Sequence, residues 1–347
     1  MWSIATAIVV TTACIAPEAL HVVSIPGGTF MMGSEGPQAR PDESPTHRVH
    51  VDAFHIQRTE VTNAMFKAFV DATGWVTTAQ RPVDWEILKH QVPPGTPKPD
   101  DELLHPGSMV FVQPQSGTSP HDVAARWVWV TGANWQNPEG PGSNLDERWN
   151  HPVVHVSHED AQAYATWLGG SLPTEAQWER AARGPVQGAT HVWGEAAIDP
   201  SHANVWQGVF PSRNTAQDGF TGTAPVGRFE PNGYGLFDMA GNVWEWTADR
   251  YDHDLYAGRS GKDVRNPAGP PMSDDPRHPP AADVRTHRGG SFLCHPSYCS
   301  SYRPSARMAT TADSAMSHLG FRVVFTEAQL ATARARHQAD GDPAKSE

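Results

Sequence analysis

The sequence predicts an α+β fold, a single loop-rich domain with little regular secondary structure. The 347 residues include 30 glycines, 31 prolines and 13 tryptophans, which is typical of many turns and many buried aromatic side chains. Short β-type segments precede three short helical patterns, and no long polar linker divides the chain. We therefore expect one domain at 21–326, an apolar leader or disordered N-terminus at 1–20, and a polar C-terminal tail at 327–347.

The first part of the domain is predicted to be β-structure. Apolar runs at 21–25 and 29–32 are separated by a Pro-Gly-Gly turn, and 47–56 alternates apolar with polar residues as a half-buried strand does. We therefore expect short β-strands in this part of the chain.

Three helices are predicted from apolar periodicity and from the residues at their ends. The first is expected over 62–73, and the others begin at the capping boxes of Ser157 and Thr174 and run to 169 and 184; each stops at glycine. The Pro-, Gly- and charge-rich stretches at 88–125 and 252–284 are expected to be long surface loops.

Charge and composition exclude several classes of partner. The formal net charge is −12 and no basic patch is evident, so nucleic acid is excluded as a partner. Residues 1–20 are apolar but lack the positive start of an export signal, and they are too short and broken for a stable membrane span. We expect a cytoplasmic monomer, with export through the apolar N-terminus as the alternative.

Two of the three cysteines lie close together near the C-terminus. Cys294 and Cys299 are five residues apart, and Pro296 between them disfavours both a continuous helix and a continuous strand. The chain must therefore bend, and a bend brings both sulfur atoms to one point. Such a pair can form a disulfide, bind a soft metal such as Cu(I), or act as a redox pair, and the spacing alone leaves these alternatives open.

The blocks around this pair resemble those of the formylglycine-generating enzymes, the sulfatase-modifying factors. The resemblance covers about residues 22–325, and it rests on IPGGTFMMG at 25–33, GANW at 132–135, LPTEAQWE at 172–179, NGYGL at 232–236, GNVWEW at 241–246, CHPSYC at 294–299 and LGFR at 319–322. Iron-dependent sulfoxide synthases and non-catalytic lectin-like modules share several of these blocks. The shared blocks thus imply the C-type-lectin-like fold. The CHPSYC segment is the part of the resemblance that implies the enzymatic activity.

The resemblance implies copper- and O₂-dependent oxidation of a cysteine to Cα-formylglycine. The substrate cysteine would lie in a Cys-x-Pro-x-Arg motif of an unfolded sulfatase. Cys294 and Cys299 would hold Cu(I), the substrate thiolate would join them, and Ser291, Tyr298 and Trp244 would line the site. O₂ would bind at the copper, and a hydrogen would be removed from the substrate Cβ. The thioaldehyde that results would hydrolyse to the aldehyde. The alternative is a non-catalytic lectin-like binding module with a structural disulfide between residues 294 and 299.

Two further residues are expected to contact the substrate. His318 precedes the LGFR block at a position where the family commonly has Asn, so substrate affinity or its pH dependence is expected to differ here. Arg303 follows the cysteine segment, either as a substrate contact or as the partner of a structural ion pair.

Structural calcium is also implied by the resemblance. Ca²⁺ takes carboxylate, amide and carbonyl oxygens with flexible geometry, although Asn, Asp and Gly are also ordinary turn residues. The first expected ion would use the side chains of Asn204 and Asp218 with the carbonyls of Val205 and Phe220. The second would use Asp238 and Glu245 with the carbonyls of Gly241 and Val243.

Overall fold

The computed structural model describes residues 17–114, 122, 125–186 and 188–340. The helices of this part of the chain are short, and 3₁₀ turns supplement them at 17–20, 41–43, 78–80 and 101–104. The α-helices are α1 Asn63–Thr73, α2 Trp85–Leu88, α3 His158–Leu168, α4 Glu175–Arg183, α5 Leu255–Arg259 and α6 Glu327–Asp340.

The strands are also short and form several small sheets. In chain order they are β1 Val22–Ile25, β2 Gly28–Met32, β3 His47–Val51, β4 Phe54–Gln57, β5 Gly107–Phe111, β6 Trp127–Thr131, β7 Gly208–Val209, β8 Arg213–Asn214, β9 Trp244–Arg250, β10 Val264–Arg265, β11 Val284–Arg288, β12 Met308–Thr311, β13 Leu319–Gly320 and β14 Val324–Phe325. The sheets have the orders β1-β4-β14, β10-β3-β2, β12-β11-β9-β13, β5-β6 and β7-β8. This confirms an α+β, loop-rich architecture.

The three predicted helices are confirmed, together with the predicted caps at Ser157 and Thr174. The hydroxyls of Thr62, Ser157 and Thr174 each accept the backbone N–H three residues later, which satisfies a donor at the helix start. α1 and α3 end at Gly74 and Gly169, both of which have positive φ angles. Local capping chemistry therefore sets these boundaries.

The β prediction was too coarse in one place and missed elements elsewhere. The run at 47–56 is two strands, β3 and β4, which belong to different sheets. The expected loop at 88–125 contains β5, which pairs antiparallel with β6, and the expected loop at 252–284 contains α5 and β10. These elements depend on partners far along the chain, so local composition does not reveal them.

The structure also differs from expectation at both ends of the domain. Residues 327–340 of the predicted tail form α6, in which Leu330 and Ala333 are only 2% and 0% exposed and join the main core. At the other end, Ala19 and Leu20 are buried in the same core, so the packed domain begins before residue 21. The rest of the predicted leader, 1–16, and of the tail, 341–347, lies outside the described residues.

Four hydrophobic clusters form the interior of the described part of the chain, and two of them contain most of the buried side chains. The larger packs α1, α3 and α6 around aromatic side chains that include Phe66, Tyr164 and Trp246. The smaller lies between the β10-β3-β2 sheet and α4, around Trp178 and Tyr256. Among the described residues, none of the helices has the length and apolar character needed to cross a bilayer.

Candidate active site

The β12-β11-β9-β13 sheet positions the residues around the two cysteines. Trp244 is the first residue of β9, Ser291 follows the end of β11, and His318 directly precedes β13. Because β9 pairs with both β11 and β13, these three positions meet at one edge of the sheet. His318 is fixed there by its carbonyl, which accepts the N–H of Trp244 at 2.9 Å.

The cysteine segment leaves β11 through a tight turn at Gly289 and Gly290. Gly290 has φ +72°, and a Cβ there would lie 2.9 Å from the backbone nitrogen of Tyr302 and 3.2 Å from Sγ of Cys294. Only glycine fits this close approach. After the turn, the N–H of Cys294 donates to the carbonyl of Ser291 at 2.8 Å, and that of Cys299 donates to the carbonyl of His295 at 2.8 Å.

The expected bend brings the two cysteines into contact. Their sulfur atoms are joined as a disulfide in this structure, and the two residues are only 1% and 5% exposed. His295, inside the bend, bonds through Nδ1 to the hydroxyl of Ser297 at 2.7 Å and is not among the residues that surround the pair. The sulfur atoms are therefore the only soft donors that the bend presents.

A small pocket of about 160 Å³ opens beside the pair, and we call it the cysteine pocket. It brings together six of the seven residues predicted as catalytic or substrate-binding. Its full lining is Arg40, Trp127, Phe210, Trp244, Ser291, Leu293, Cys294, Tyr298, Cys299, Met308 and His318.

Four aromatic side chains line the pocket: Trp127, Phe210, Trp244 and Tyr298. Tyr298 is 48% exposed and stacks on Phe210, with a centroid separation of 4.3 Å. The guanidinium of Arg126 covers the outer face of Tyr298 at 4.8 Å from the ring centroid, which holds the ring in place. Trp244 is 3% exposed and meets His287 edge to face at 4.6 Å.

His318 contributes an uncharged imidazole to the pocket. Its ring packs against Trp127 at a centroid distance of 4.7 Å, and its Nδ1 atom is buried without a hydrogen-bond partner. Burial, with a smaller contribution from His155, lowers the pKa of His318 to about 3. At neutral pH the ring is therefore a neutral hydrogen-bonding group.

Arg303 does not line the cysteine pocket. It is 2% exposed, and its guanidinium donates to both carboxylate oxygens of Glu43 at 2.6 Å each. Arg303 thus ties the segment after the cysteines to the 3₁₀ turn at 41–43, which supports the ion-pair alternative.

Buried ion pairs fix the cysteine segment at both of its ends. Arg288 precedes the segment and Arg307 follows it, and both donate to the carboxylate of Glu175, with shortest distances of 3.0 and 2.5 Å. Arg288 also binds Glu179 and the carbonyl of Pro304. One carboxylate on α4 therefore connects the two ends of the loop that carries the thiols.

Five residues of the pocket were not predicted from the sequence: Arg40, Trp127, Phe210, Leu293 and Met308. Arg40 lies in a polar stretch that has only turn character, and Trp127 belongs to the β6 strand that was missed. Leu293 is the exception, because its place beside Cys294 was a signal that could have been used.

The residues of the first expected calcium site lie in adjacent loops. Oδ2 of Asp218 is buried without a partner, while Oδ1 accepts the N–H of Phe220 at 2.9 Å. The amide nitrogen of Asn204 donates to the carbonyl of Gly222 at 2.9 Å, and the carbonyl of Val205 accepts from Gln207 at 3.0 Å. The unsatisfied carboxylate oxygen is the feature that fits a cation here.

The second expected calcium site lies in a buried cluster of acids. The two carboxylate oxygens of Glu245 accept from Arg322 at 2.6 and 2.7 Å, and Oδ2 of Asp238 accepts the N–H of Gly227 at 2.7 Å. Burial raises the pKa of Asp238 to about 6, and it raises the pKa of neighbouring Glu60 well above its usual range. Repulsion among the acids raises both pKa values further. Within the described ranges, no three His, Cys, Asp or Glu side chains are grouped as a metal site.

Asp249 on β9 is predicted to make stability depend on pH. It is 4% exposed, and burial together with the charge of Glu175 raises the pKa of Asp249 to about 7. The folded state thus holds this proton more tightly than the unfolded state, whose Asp pKa is about 3.9. The resulting stabilisation is complete below about pH 4 and is lost as pH rises through about 7.

The test is chemical denaturation of Asp249→Asn and the parent at pH 5 and pH 8. Asparagine keeps an acceptor for the N–H of Glu175, which Asp249 accepts at 2.9 Å. The fall in unfolding free energy between the two pH values is expected to be about 2–3 kcal/mol smaller in the variant. Equal falls in both proteins would contradict a protonated Asp249.

The chain is similar to known proteins over most of its length. A family model described as "Sulfatase-modifying factor enzyme 1-like domain" matches residues 9–327. The formylglycine-generating enzyme of Thermomonospora curvata is 48% identical over 306 residues, which cover 87% of this chain and 92% of that protein. The inactive Cα-formylglycine-generating enzyme 2 of Bos taurus is 36% identical over 308 residues, 88% of each chain.

Solved structures show the same fold. PvdO from Pseudomonas aeruginosa superposes with a TM-score of 0.58 at 25% identity, over 88% of this chain and 93% of that one. The family match spans nearly all of the described domain, including the cysteine segment and the sheet that positions it. The chain therefore belongs to the sulfatase-modifying factor family.

Proposed function

We propose that this chain oxidises a cysteine of an unfolded sulfatase, within a Cys-x-Pro-x-Arg motif, to Cα-formylglycine. The observation that carries the proposal is the convergence of Cys294 and Cys299 beside a pocket lined by Trp244, Ser291 and Tyr298. The 48% identity to a protein named formylglycine-generating enzyme supports the same activity. Family membership alone does not establish this activity, because a relative whose name describes it as inactive is 36% identical to this chain.

Cys294 and Cys299, once reduced, would hold Cu(I) as two thiolates. The pair is buried, and soft sulfur donors favour Cu(I) over harder metals. When bound, the metal would supply the one-electron chemistry with O₂ that thiols and imidazoles do not provide. The disulfide then corresponds to an oxidised form that must be reduced before it can bind metal.

The size of the cysteine pocket suits one small substrate side chain. With a volume of about 160 Å³, the pocket has room for a cysteine side chain, and Trp244 with Tyr298 would shield it from bulk water. The rest of the substrate must be bound outside this pocket.

Ser291 and His318 would orient the reacting group. Ser291 is fully buried, and its hydroxyl oxygen accepts the N–H of Leu293 at 3.3 Å, which leaves its proton free to donate into the pocket. Neutral His318 offers its unpartnered Nδ1 atom. The oxidation removes two electrons and two protons from the substrate CH₂–SH, for which O₂ is the acceptor. Water then adds to the thioaldehyde and H₂S leaves.

Calcium would stabilise two loop regions beside this site. We propose that Asn204, Val205, Asp218 and Phe220 hold one ion, a choice supported by the unsatisfied oxygen of Asp218. Asp238, Gly241, Val243 and Glu245 would hold the other, which would offset the repulsion within the acidic cluster. A monomeric state and a cytoplasmic location stay predictions.

The second candidate is a non-catalytic member of the family with a structural disulfide. The joined sulfur atoms favour it directly. The two candidates differ once the disulfide is reduced. The oxidase would bind copper and react with O₂, whereas a protein with a purely structural disulfide would do neither.

The test is an anaerobic Cu(I) titration of the reduced protein, followed by O₂ and a Cys-x-Pro-x-Arg peptide. We expect one copper per chain and a peptide product detected by mass spectrometry as the aldehyde. A matched peptide with serine in place of cysteine should give no product. Failure of the reduced protein to bind copper, together with an unchanged cysteine peptide, would favour the structural disulfide.

A further inference from the structure

Arg40 is the charged side chain of the cysteine pocket. Among the described residues that line this pocket, no Asp, Glu or Lys accompanies it, and the imidazole of His318 is neutral. A guanidinium stays protonated in proteins, so Arg40 gives the pocket a positive charge. The roles proposed for Ser291 and His318 leave this charge unused.

The guanidinium end of Arg40 is the part that reaches the pocket. Its Nη1 atom lies 4.0 Å from Sδ of Met308, which lines the same pocket, and 3.5 Å from the carbonyl oxygen of Arg307. The backbone of Arg40 is fixed as well, because its N–H donates to Oε1 of Glu43 at 3.2 Å. The charge therefore has a defined place beside the two cysteines.

No carboxylate in the described part of the chain neutralises Arg40. Its two side-chain contacts are a carbonyl and a thioether, and the neighbouring acids have other partners. Asp42 accepts the hydroxyl of Tyr251 at 2.7 Å, and Glu43 binds Arg303. By contrast, the three buried arginines that hold the cysteine segment each pair with a carboxylate. Arg40 is thus the guanidinium of this region that has charge to offer to a ligand.

We propose that Arg40 supplies the positive charge that compensates for the substrate thiolate in the cysteine pocket. This inference rests on the proposed function, in which two thiolates of the chain and one of the substrate meet at Cu(I). The three thiolates carry more negative charge than the single positive charge of Cu(I) offsets. An excess charge that is removed from water is costly unless an opposite charge lies nearby. Arg40 therefore favours a thiolate over a neutral side chain of similar size.

The walls of the pocket strengthen this effect. Trp127, Phe210 and Trp244 surround the cysteines with apolar surface, and charges interact more strongly where water is scarce. Arg40 itself is only half-buried, so water can hydrate its guanidinium while the pocket is empty. The unpaired charge is therefore tolerated before the substrate arrives.

The first experiment measures the charge of the pocket without copper or O₂. The reduced, metal-free protein is alkylated with anionic iodoacetate and, separately, with neutral iodoacetamide; in both reactions a thiolate displaces iodide. Because the same thiolate attacks both reagents, the ratio of the two rates does not depend on how much of the thiol is ionised. Rates are measured at Cys294 and Cys299 by mass spectrometry of the digested protein. We expect Arg40→Gln to lower the iodoacetate-to-iodoacetamide ratio about three- to tenfold.

Two further variants separate charge from shape and from net charge. Arg40→Lys keeps the positive charge, so its ratio should stay within about twofold of the parent's. Arg48→Gln removes the same charge from a side chain that is 61% exposed, pairs with Asp263 and does not line the pocket, and it should leave the ratio unchanged. Equal ratios in the parent and Arg40→Gln would overturn the proposal, and so would an equal fall in Arg48→Gln.

The second experiment measures the preference for a thiolate directly. Anaerobic, Cu(I)-loaded protein is titrated by fluorescence anisotropy with two Cys-x-Pro-x-Arg peptides that differ only in having cysteine or serine at the first position. We expect Arg40→Gln to weaken binding of the cysteine peptide about three- to tenfold and to leave the serine peptide unaffected, while Arg40→Lys restores the preference. Equal weakening of both peptides would mean that Arg40 only shapes the pocket, which would overturn the proposal.

Failure of this inference and failure of the proposed function give different results. Aldehyde formation by the parent, together with an alkylation ratio that Arg40→Gln does not change, refutes the role of Arg40 alone. A ratio that falls as expected in a protein that forms no aldehyde refutes the oxidase, while it leaves Arg40 as the positive charge beside the two thiols.

Discussion

Replacing either Cys294 or Cys299 by serine is expected to abolish aldehyde formation and stoichiometric Cu(I) binding. A serine hydroxyl is a hard, protonated group at neutral pH, so one thiolate alone must then hold the metal. We expect product formation on the cysteine peptide to fall at least about a thousandfold, which corresponds to about 4 kcal/mol in the barrier. Anaerobic copper titration and mass detection of the aldehyde measure the two effects.

Cys14→Ser is the control for this prediction, because it makes the same chemical change at the remaining cysteine. It should retain both copper binding and turnover. The structural alternative predicts a different pattern, in which the 294 and 299 variants lose thermal stability but the reduced parent already binds no copper. Full turnover by either serine variant would exclude the two-thiolate site.

The sequence predicted the parts of this molecule that depend on near neighbours. The N-caps at Ser157 and Thr174 are confirmed, because a hydroxyl and the N–H three residues later lie in the same turn of chain. The bend between Cys294 and Cys299 was likewise predicted from Pro296 and from an odd spacing.

What the sequence could not reveal depends on distant partners. Arg40 and Trp127 reach the cysteine pocket from more than 160 residues away along the chain. α6 was missed because an Ala- and charge-rich segment becomes a packed helix only where Leu330 and Ala333 meet a core built elsewhere. Arg303 was ambiguous because its partner, Glu43, lies 260 residues away.

Glu175→Gln is expected to be among the most destabilising single changes in the chain. Glu175 is 1% exposed and accepts hydrogen bonds from Arg288 and Arg307, which are both fully or almost fully buried. Glutamine keeps the shape but leaves two guanidinium groups with less compensating charge in a dry interior. Breaking such a pair costs about 3–5 kcal/mol, measured as the loss in unfolding free energy by chemical denaturation.

Glu159→Gln is the matched control, since Glu159 bonds Arg81 at 2.5 Å, the same distance as in the Glu175–Arg307 pair. The side chains of Glu159 and Arg81 are 58% and 42% exposed, so water screens the pair. The expected loss in unfolding free energy is at most about 1 kcal/mol. A similar small cost for Glu175→Gln would mean that the buried pairs do not hold the cysteine segment. If the cost is large, we also expect slower aldehyde formation under conditions in which the variant remains folded. The reason is that Arg288 and Arg307, which lose part of their partner's charge, fix the two ends of the loop that carries both thiols.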